Sequence, residues 1–314
     1  MTISRRQVLG VTTAAAASVS LLGPTGAVGA AQVPRFHGDP GRGRVFYGAA
    51  LPWPRSLPAW EDRLGRRLSV RRTYYDPRDA RQLHERVRED RANRRLPHVS
   101  IKPAGSWASI AAGRHDRWLH QVLDPLRKQR IPVFFTLHHE PENDAGGPGM
   151  SPSDFVAMQR RVIRIARNSC PNVTVVPVLQ HWTFDPRRSD AQPAQWVVPE
   201  AAVFGVDLYN PWSPTNGLAW RSFAAKAREV RRWARDTPMA VAEYGCRADP
   251  RNPGRAKRWM RDAFVHARDH NIVAMSYFNS DNSRHESWEL HGARERVFAR
   301  TLRRERVARI KRPG

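Results

Sequence analysis

Short apolar runs alternate with longer amphipathic segments along the chain from Arg44 onward. Eight of these runs have the length and the β-branched or aromatic content of strands, and the segments between them carry the helical spacing of apolar residues. Near-continuous apolar strands separated by helices are typical of a parallel sheet that is covered on both faces. The eight predicted strands are Val45–Leu51, Ser69–Tyr75, His98–Ile101, Pro132–His138, Val173–Leu179, Val203–Tyr209, Met239–Tyr244 and Ile272–Phe278.

Eight strand–helix units within residues 44–314 predict an α/β fold, a single (β/α)8 TIM barrel, for which about 250 residues are typical. An open, doubly wound sheet is the structural alternative. No Gly-x-Gly-x-x-Gly motif follows the first strand, which argues against a dinucleotide-binding version of that sheet. The chain has no internal repeat and no Ser/Gly-rich linker, so we expect these residues to form one domain.

Residues 1–31 are predicted to be a twin-arginine signal peptide. The motif Ser4-Arg5-Arg6-Gln7-Val8-Leu9-Gly10 precedes a weakly apolar run, and small residues follow at the end where a signal peptidase would cut. The apolar run is too short and too rich in alanine for a stable membrane span. Residues 32–43 are expected to be a flexible leader. The signal predicts a secreted or cell-wall-associated protein.

The 314-residue chain is strongly basic, with 53 Lys and Arg against 29 Asp and Glu, for a net charge of +24. One interpretation is attraction to an anionic partner, such as an acidic polysaccharide. The other is a general arginine-rich composition spread over solvated helix faces, since the arginines are scattered among the predicted helices. No basic motif with interleaved aromatic residues is present, so we do not expect nucleic-acid binding.

Two predicted strands end in carboxylates. The fourth runs into His138, His139 and Glu140, and the seventh runs into Glu243. Sites in (β/α)8 barrels lie at the C-terminal ends of the strands, so these groups are expected on one rim. Two carboxyl groups that flank a glycosidic bond can hydrolyse it. We predict Glu140 as the acid/base, because nearby negative charge can raise its pKa, and Glu243 as the nucleophile.

Aromatic and polar residues follow most of the predicted strands, as expected of a cleft in which sugar rings stack on aromatic side chains. Tryptophans can also serve in packing, so this interpretation stays open for each one. The predicted substrate-binding residues are His139, Tyr209, Trp182, Trp212, Trp107, Trp53 and Tyr244.

An acid on strand four and a nucleophile on strand seven of eight units resemble clan A glycoside hydrolases, whose members are retaining enzymes. That clan commonly has Asn-Glu-Pro at the acid/base, whereas this chain has His139-Glu140-Pro141. His-Glu at this place, together with Ala242-Glu243-Tyr244-Gly245, resembles glycoside hydrolase family 26, which is mannanase-like. Tyr209 matches the tyrosine of strand six that contacts the nucleophile there. The chain departs from the pattern at strand eight, where Tyr277-Phe278 stands in place of a tryptophan.

The resemblance implies a secreted, retaining hydrolase that cleaves a β-linked polysaccharide of mannan or glucan type internally. We expect it to need no cofactor and no metal, to act as a monomer and not to insert in membranes. One alternative is a non-catalytic barrel that binds glycans or the cell wall. Another is a metal-dependent hydrolase that uses His138, His139 and Glu140, although adjacent residues of a strand point to opposite faces.

Overall fold

The computed structural model describes residues 35–51, 56–281 and 287–311; the predicted signal peptide and Trp53 lie outside these ranges. Nine strands and eight α-helices alternate along them. The strands are β1 (Phe46–Ala50), β2 (Val70–Tyr75), β3 (Leu96–Ile101), β4 (Val133–Leu137), β5 (Val173–Val175), β6 (Val178–Gln180), β7 (Phe204–Asn210), β8 (Met239–Cys246) and β9 (Ile272–Phe278). The helices are α1 (Leu57–Leu64), α2 (Ala80–Ala92), α3 (Trp107–Ala111), α4 (Asp116–Arg127), α5 (Pro152–Ser169), α6 (Phe223–Ala234), α7 (Pro253–Asp269) and α8 (Gly292–Leu302).

All strand pairs in the sheet are parallel, in the order β5-β4-β3-β2-β1-β9-β8-β7-β6. The two edge strands are consecutive pieces of the fifth predicted strand, separated by Val176 and Pro177. The amide of Val176 donates to Phe135 O of β4 at 2.8 Å, and Gly205 N of β7 donates to Pro177 O at 3.0 Å. The segment from β5 to β6 therefore connects the two edges of the sheet and closes it into a barrel. The predicted (β/α)8 barrel is confirmed.

Pro177 accounts for the division of the fifth predicted strand. Proline has no amide hydrogen, so the ladder cannot continue through it on both sides. The first half of the segment pairs with β4, and its second half pairs with β7.

Helix boundaries follow local sequence signals. At α5, Ser151 Oγ accepts from the amide of Asp154, while the Asp154 carboxylate accepts from Ser151 N, with Pro152 at the first helical position. The apolar faces of the helices then cover the barrel, as Phe155, Val162 and Leu123 show by being fully buried. No helix in the described ranges is both long and apolar enough to cross a membrane.

The N-terminal end of the barrel is covered by chain segments from both ends of the protein. Of the predicted leader, residues 35–43 are described, and Phe36 packs on Phe134 with ring centroids 6.0 Å apart. The segment after α8 pairs with the start of β1, where Val45 N donates to Arg306 O and Ala308 N donates to Val45 O, each at 2.9 Å. The C-terminal ends of the strands are the opposite end, and the predicted site lies there.

Candidate active site

Three carboxyl groups meet at the C-terminal end of the barrel. One oxygen from each of Glu140, Asp207 and Glu243 lies within 4.8 Å of the other two. Glu140 follows β4, Asp207 belongs to β7 and Glu243 belongs to β8. The two glutamates predicted as a pair from residues about a hundred positions apart are thus neighbours, and an aspartate that the sequence analysis did not single out joins them.

Strand register places Asp207 beside Glu243. The two residues are partners in the β7–β8 ladder, directly after an irregularity in register at Val206. Tyr209 stands two residues after Asp207, and the period of two along a strand points both side chains into the barrel. Asp207 is 2% exposed, and among the described residues neither of its oxygens has a hydrogen-bond partner. Burial, followed by the charges of Glu243 and Glu140, raises the pKa of Asp207 well above its usual value.

Both oxygens of Glu243 accept hydrogen bonds from tyrosines. Tyr74 Oη donates to Oε1 and Tyr209 Oη donates to Oε2, each at 2.5 Å. Burial and the charge of Glu243 raise the pKa values of Tyr74 and Tyr209 well above the usual value, so both hydroxyls stay protonated. These donors fix the orientation of the carboxylate and stabilise its ionised form. Glu243 is therefore held in a fixed orientation.

The backbone at the end of β4 is strained where it presents Glu140. His138 has φ 62° and Glu140 has φ 49°, both in the left-handed region, which costs a non-glycine residue about 1–3 kcal/mol. The amide of Glu140 donates to Val178 O at 3.0 Å, and Asn143 Nδ2 donates to Glu140 Oε2 at 3.1 Å. Strained backbone of this kind is concentrated at functional sites.

The environment of Glu140 keeps its carboxyl protonated at neutral pH. Burial is the largest cause, and the charges of Glu243 and Glu142 add to it, so that the pKa of Glu140 rises to about 8. A neutral carboxyl group beside an oriented carboxylate is the arrangement that acid–base and nucleophilic catalysis at one bond requires.

A buried arginine lies in the barrel interior below the carboxyl groups. Arg72 is 1% exposed, and its Nη1 donates to Thr136 Oγ1 at 3.4 Å. Its Nε and Nη2 have no partner within the described part of the chain. The positive charge of Arg72 opposes the rise in the pKa values of Glu140 and Asp207. Arg72 and Asp207 thus leave polar groups at the floor of the site that a bound polar ligand or water can satisfy.

His139, which is predicted to contact substrate, lies at the edge of the site. Its Nδ1 is 3.0 Å from Ser100 Oγ, and its ring centroid is 5.2 Å from that of Tyr74. Burial and the charge of Arg72 lower the pKa of His139 to about 3, so its ring is neutral. A cavity of about 260 Å³ opens beside it, lined also by Lys102 and Asp76.

Trp182 and Trp212 are half-buried on the segments that follow β6 and β7. Each has an arginine over its indole, Arg188 at 4.7 Å from Trp182 and Arg255 at 5.3 Å from Trp212. Trp288, beyond β9, packs against Tyr209 with ring centroids 4.8 Å apart. A tryptophan of the final loop thus reaches the site, although β9 itself contains none.

Two predicted substrate-binding residues do not face the site. Tyr244 is fully buried on the outer face of the barrel, where its hydroxyl donates to Tyr47 Oη at 2.7 Å and its ring stacks on Trp259. It adjoins the inward Glu243, so it points outward. Trp107 is also fully buried, packed against Phe155, and its Nε1 donates to His138 Nδ1 at 2.7 Å. The prediction was wrong for both residues.

The histidines of the metal-site alternative do not converge. His138 Nδ1 accepts from Trp107, and its Nε2 is 2.6 Å from Asp144 Oδ2, whereas His139 contacts Ser100. Two groups of three potential ligands occur within the described ranges, and neither contains His138 or His139. One consists of Glu140, Asp207 and Glu243, which we call the carboxyl trio. The other consists of His181, Asp185 and Glu229. Arg221 donates a hydrogen bond to each of the two acids in this group.

Sequence reasoning missed Tyr74, Asp207 and Arg72 as site residues. Each was open to inference from alternation along a predicted strand. Tyr74 and Arg72 are two residues apart on β2, and Asp207 has the same spacing from Tyr209 on β7. What the sequence did not show is how close the inward residues of different strands come, because this depends on register.

The sequence matches no protein-family model and no curated protein. Several solved structures have folds similar to that of this chain. XacCel5A in complex with cellopentaose superposes with a TM-score of 0.60 at 9% identity, covering 82% of this chain and 99% of that one. The family 1 β-glucosidase from Thermotoga maritima gives a TM-score of 0.56 at 9% identity, covering 80% of this chain and 85% of that one.

A GH5-4 broad-specificity endoglucanase from Ruminococcus champanellensis with bound cellotriose gives a TM-score of 0.53 at 13% identity, covering 79% of this chain and 86% of that one. These neighbours are clan A glycoside hydrolases of families 5 and 1, so they leave the resemblance to family 26 a prediction. At such identities the likeness bears on the fold. The chain has the (β/α)8 barrel fold that these glycoside hydrolases share.

Proposed function

We propose that this protein is a retaining glycoside hydrolase that cleaves β-linked polysaccharide, with Glu140 as the acid/base and Glu243 as the nucleophile. The observation that carries the proposal is the pair itself: a half-buried carboxyl group, whose pKa its surroundings raise, lies within 4.8 Å, oxygen to oxygen, of a carboxylate oriented by two tyrosines. Retaining enzymes hold their two carboxyl groups about 5–5.5 Å apart, whereas inverting enzymes need about 6.5–9.5 Å. The short separation favours retention.

In the first step, the carboxylate of Glu243 attacks the anomeric carbon while Glu140 gives its proton to the departing glycosidic oxygen. The bond to the leaving group breaks, and an ester forms between the sugar and Glu243. In the second step, the Glu140 carboxylate takes a proton from water, which attacks the same carbon. The ester breaks, Glu243 is released as a carboxylate and Glu140 is again protonated.

The substrate is proposed to be a mannan- or glucan-type polysaccharide. The structural neighbours include proteins with bound cellopentaose and cellotriose, and His139 with the neighbouring cavity supplies polar contacts for sugar hydroxyls. Internal cleavage, action as a monomer and export through the twin-arginine signal belong to the same proposal. They rest on the sequence.

Release of reducing sugar from mannans, xylans, mixed-linkage glucans and acidic glucans tests the proposal. The Glu140→Gln and Glu243→Gln variants should each stay folded and lose activity by several orders of magnitude, while Glu85→Gln on the exposed face of α2 serves as the control. Undiminished turnover in either active-site variant would rule out the assigned roles. Binding of a polysaccharide without release by the wild type would favour the non-catalytic alternative.

A further inference from the structure

The N-terminal end of the barrel carries a concentration of arginine. The segment that follows α8 reads Arg-Arg-Glu-Arg-Val-Ala-Arg-Ile-Lys over residues 303–311, with one carboxylate against five cations. Its backbone pairs with Val45 before β1. Arg309 then donates to Arg67 O at 2.6 Å and to Leu68 O at 3.1 Å, so the segment reaches the turn that precedes β2.

These contacts assemble one surface from four parts of the chain. Arg94 Nε donates to Ile310 O at 3.4 Å, which adds the turn before β3. We call this surface the basic face; it comprises Arg44, Arg66, Arg67, Arg94, Arg306 and Arg309. Five of these six arginines are exposed, and the sixth, Arg309, is half-buried.

Two nearby carboxylates are already engaged below the surface, and a third, Glu305, is exposed beside Arg306. Glu61 is buried and accepts from Arg95 Nε at 3.0 Å and from Leu68 N at 2.7 Å. Asp90 is buried and accepts from Arg95 at 3.2 Å and Arg71 at 3.5 Å. No exposed arginine side chain of the basic face bonds to the carboxylate of Glu61 or Asp90.

Like charges consequently crowd the basic face. Burial is the largest cause that lowers the pKa of Arg309, to about 10; the charges of Arg66, Arg94 and Arg95 lower it further, and the charge of Glu61 opposes them in part. Uncompensated positive charge destabilises the folded protein and attracts anions at the same time. A bound polyanion would relieve this repulsion and release counterions.

The basic face lies at the opposite end of the barrel from the carboxyl trio. Its arginines precede β1, β2 and β3, whereas Glu140 and Glu243 lie at or near the C-terminal ends of parallel strands. Six residues of β2 alone span about 20 Å at roughly 3.3 Å per residue. A ligand on the basic face therefore leaves the site unobstructed.

The face is cationic without being apolar. In the described ranges, the exposed large hydrophobic residues are Leu218, after β7, and Trp233, on α6, and neither belongs to it. It therefore offers no ring for stacking bases and no side chain for insertion into lipid. Guanidinium groups alone bind carboxylate and phosphate oxygens, often in bidentate fashion.

We propose that the basic face docks this protein on an anionic polysaccharide that carries carboxylate or phosphate groups, with the carboxyl trio directed away from it. This docking is distinct from substrate binding. It does not depend on the proposed hydrolysis.

Binding of the full chain to immobilised polygalacturonate and to poly(glycerol phosphate), with dextran as the neutral reference, tests the proposal over a series of NaCl concentrations. The test variant combines Arg44→Gln, Arg66→Gln, Arg67→Gln and Arg306→Gln, whose side chains make no hydrogen bond within the described ranges. A matched control makes the same charge change on four exposed helix arginines: Arg117, Arg164, Arg228 and Arg258.

At low salt the test variant should bind about tenfold more weakly, if each exposed contact contributes a few tenths of a kcal/mol, and with a shallower dependence on salt. The control variant should bind within about twofold of the wild type. Preference for polygalacturonate identifies carboxylate as the recognised group, and preference for the phosphate polymer identifies phosphate. Arg66→Gln with Arg67→Gln, a milder variant, replaces the test variant if the latter does not fold.

Three results would overturn the proposal. They are equal weakening in both variants, binding to neither anionic polymer, and tighter binding to duplex DNA or to phosphatidylserine vesicles than to both anionic polymers. Because binding is measured without turnover, an absence of hydrolysis leaves this result intact. A wild type that hydrolyses polysaccharide but fails the binding test would refute the docking alone.

Discussion

Asp207 and Glu243 are paired residues of neighbouring strands, and both point into the barrel, yet their surroundings differ. Glu243 accepts a hydrogen bond at each oxygen, whereas Asp207 accepts none from the described residues. An acid buried without donors beside an anion keeps its proton. Asp207 is therefore a neutral group beside the two carboxyl groups that are proposed to react.

Asp207→Asn should stabilise the protein at alkaline pH. The folded state raises the pKa of Asp207, so folding holds its proton more tightly than the unfolded chain does. Wild-type stability is consequently lost as pH rises from the unfolded pKa towards the folded one, and the amide removes this loss. Thermal unfolding should show a higher Tm for the variant at pH 8 and nearly equal values at pH 4. Asp262→Asn, on exposed α7, is the control, and an equal gain in it would contradict this account.

Tyr209→Phe and Tyr74→Phe should each reduce kcat/KM by about 10- to 100-fold. Each change removes a hydrogen bond to the Glu243 carboxylate, and a bond to a charged group contributes about 1.5–3 kcal/mol. The variants should remain folded, because the phenyl rings keep their packing. Steady-state kinetics on a substrate found by the release assay measures both losses.

Tyr244→Phe is the matched control for these tyrosines. Its hydroxyl bonds to Tyr47 on the outer face of the barrel, so the change should leave kcat/KM within about twofold and lower stability by about 0.5–1.5 kcal/mol. A large loss of activity with unchanged stability would show that Tyr244 takes part in the site after all.

Comparison of Tyr244 with Tyr209 shows how far the sequence determines the site. The eight predicted strands, their C-terminal rim and the two glutamates were all open to inference from hydrophobic pattern and strand ends. The assignment of Tyr244 failed where alternation was not applied to the neighbour of Glu243. Trp107 failed for another reason: its burial arises from packing between α3 and Phe155 of α5, a long-range contact that local sequence does not encode.

The register of the strands and the strained backbone at the site could not be predicted from the local sequence pattern either. The irregularity at Val206 aligns Asp207 with Glu243, and the left-handed conformations of His138 and Glu140 are imposed by the surrounding barrel. Such a conformation is uncommon for residues other than glycine, although histidine adopts it more often than most. The chemistry of the site was therefore predictable in its main groups, whereas its geometry required the assembled fold.

The rate of hydrolysis should fall as pH rises above about 8. Glu140 must be protonated to assist the leaving group, and its pKa is raised to about 8 by burial and by the charges of Glu243 and Glu142. The pKa of Glu142 is itself raised to about 7, so Glu142 is ionised where Glu140 titrates. Glu142→Gln should therefore move the alkaline limb of the kcat/KM profile to lower pH. An unmoved limb would exclude an effect of this charge on the essential acid.

Azide should separate the roles of the two glutamates. In Glu140→Ala, an aryl β-glycoside with a good leaving group still forms the ester on Glu243, because little proton assistance is needed, and azide can then attack in place of water. The product should be a β-glycosyl azide, with activity restored by azide. In Glu243→Ala, azide occupies the space of the lost carboxylate and attacks the substrate directly, so the product should be the α-glycosyl azide. Products of the opposite configurations in NMR spectra would exchange the two assignments, and rescue of neither variant would count against double displacement.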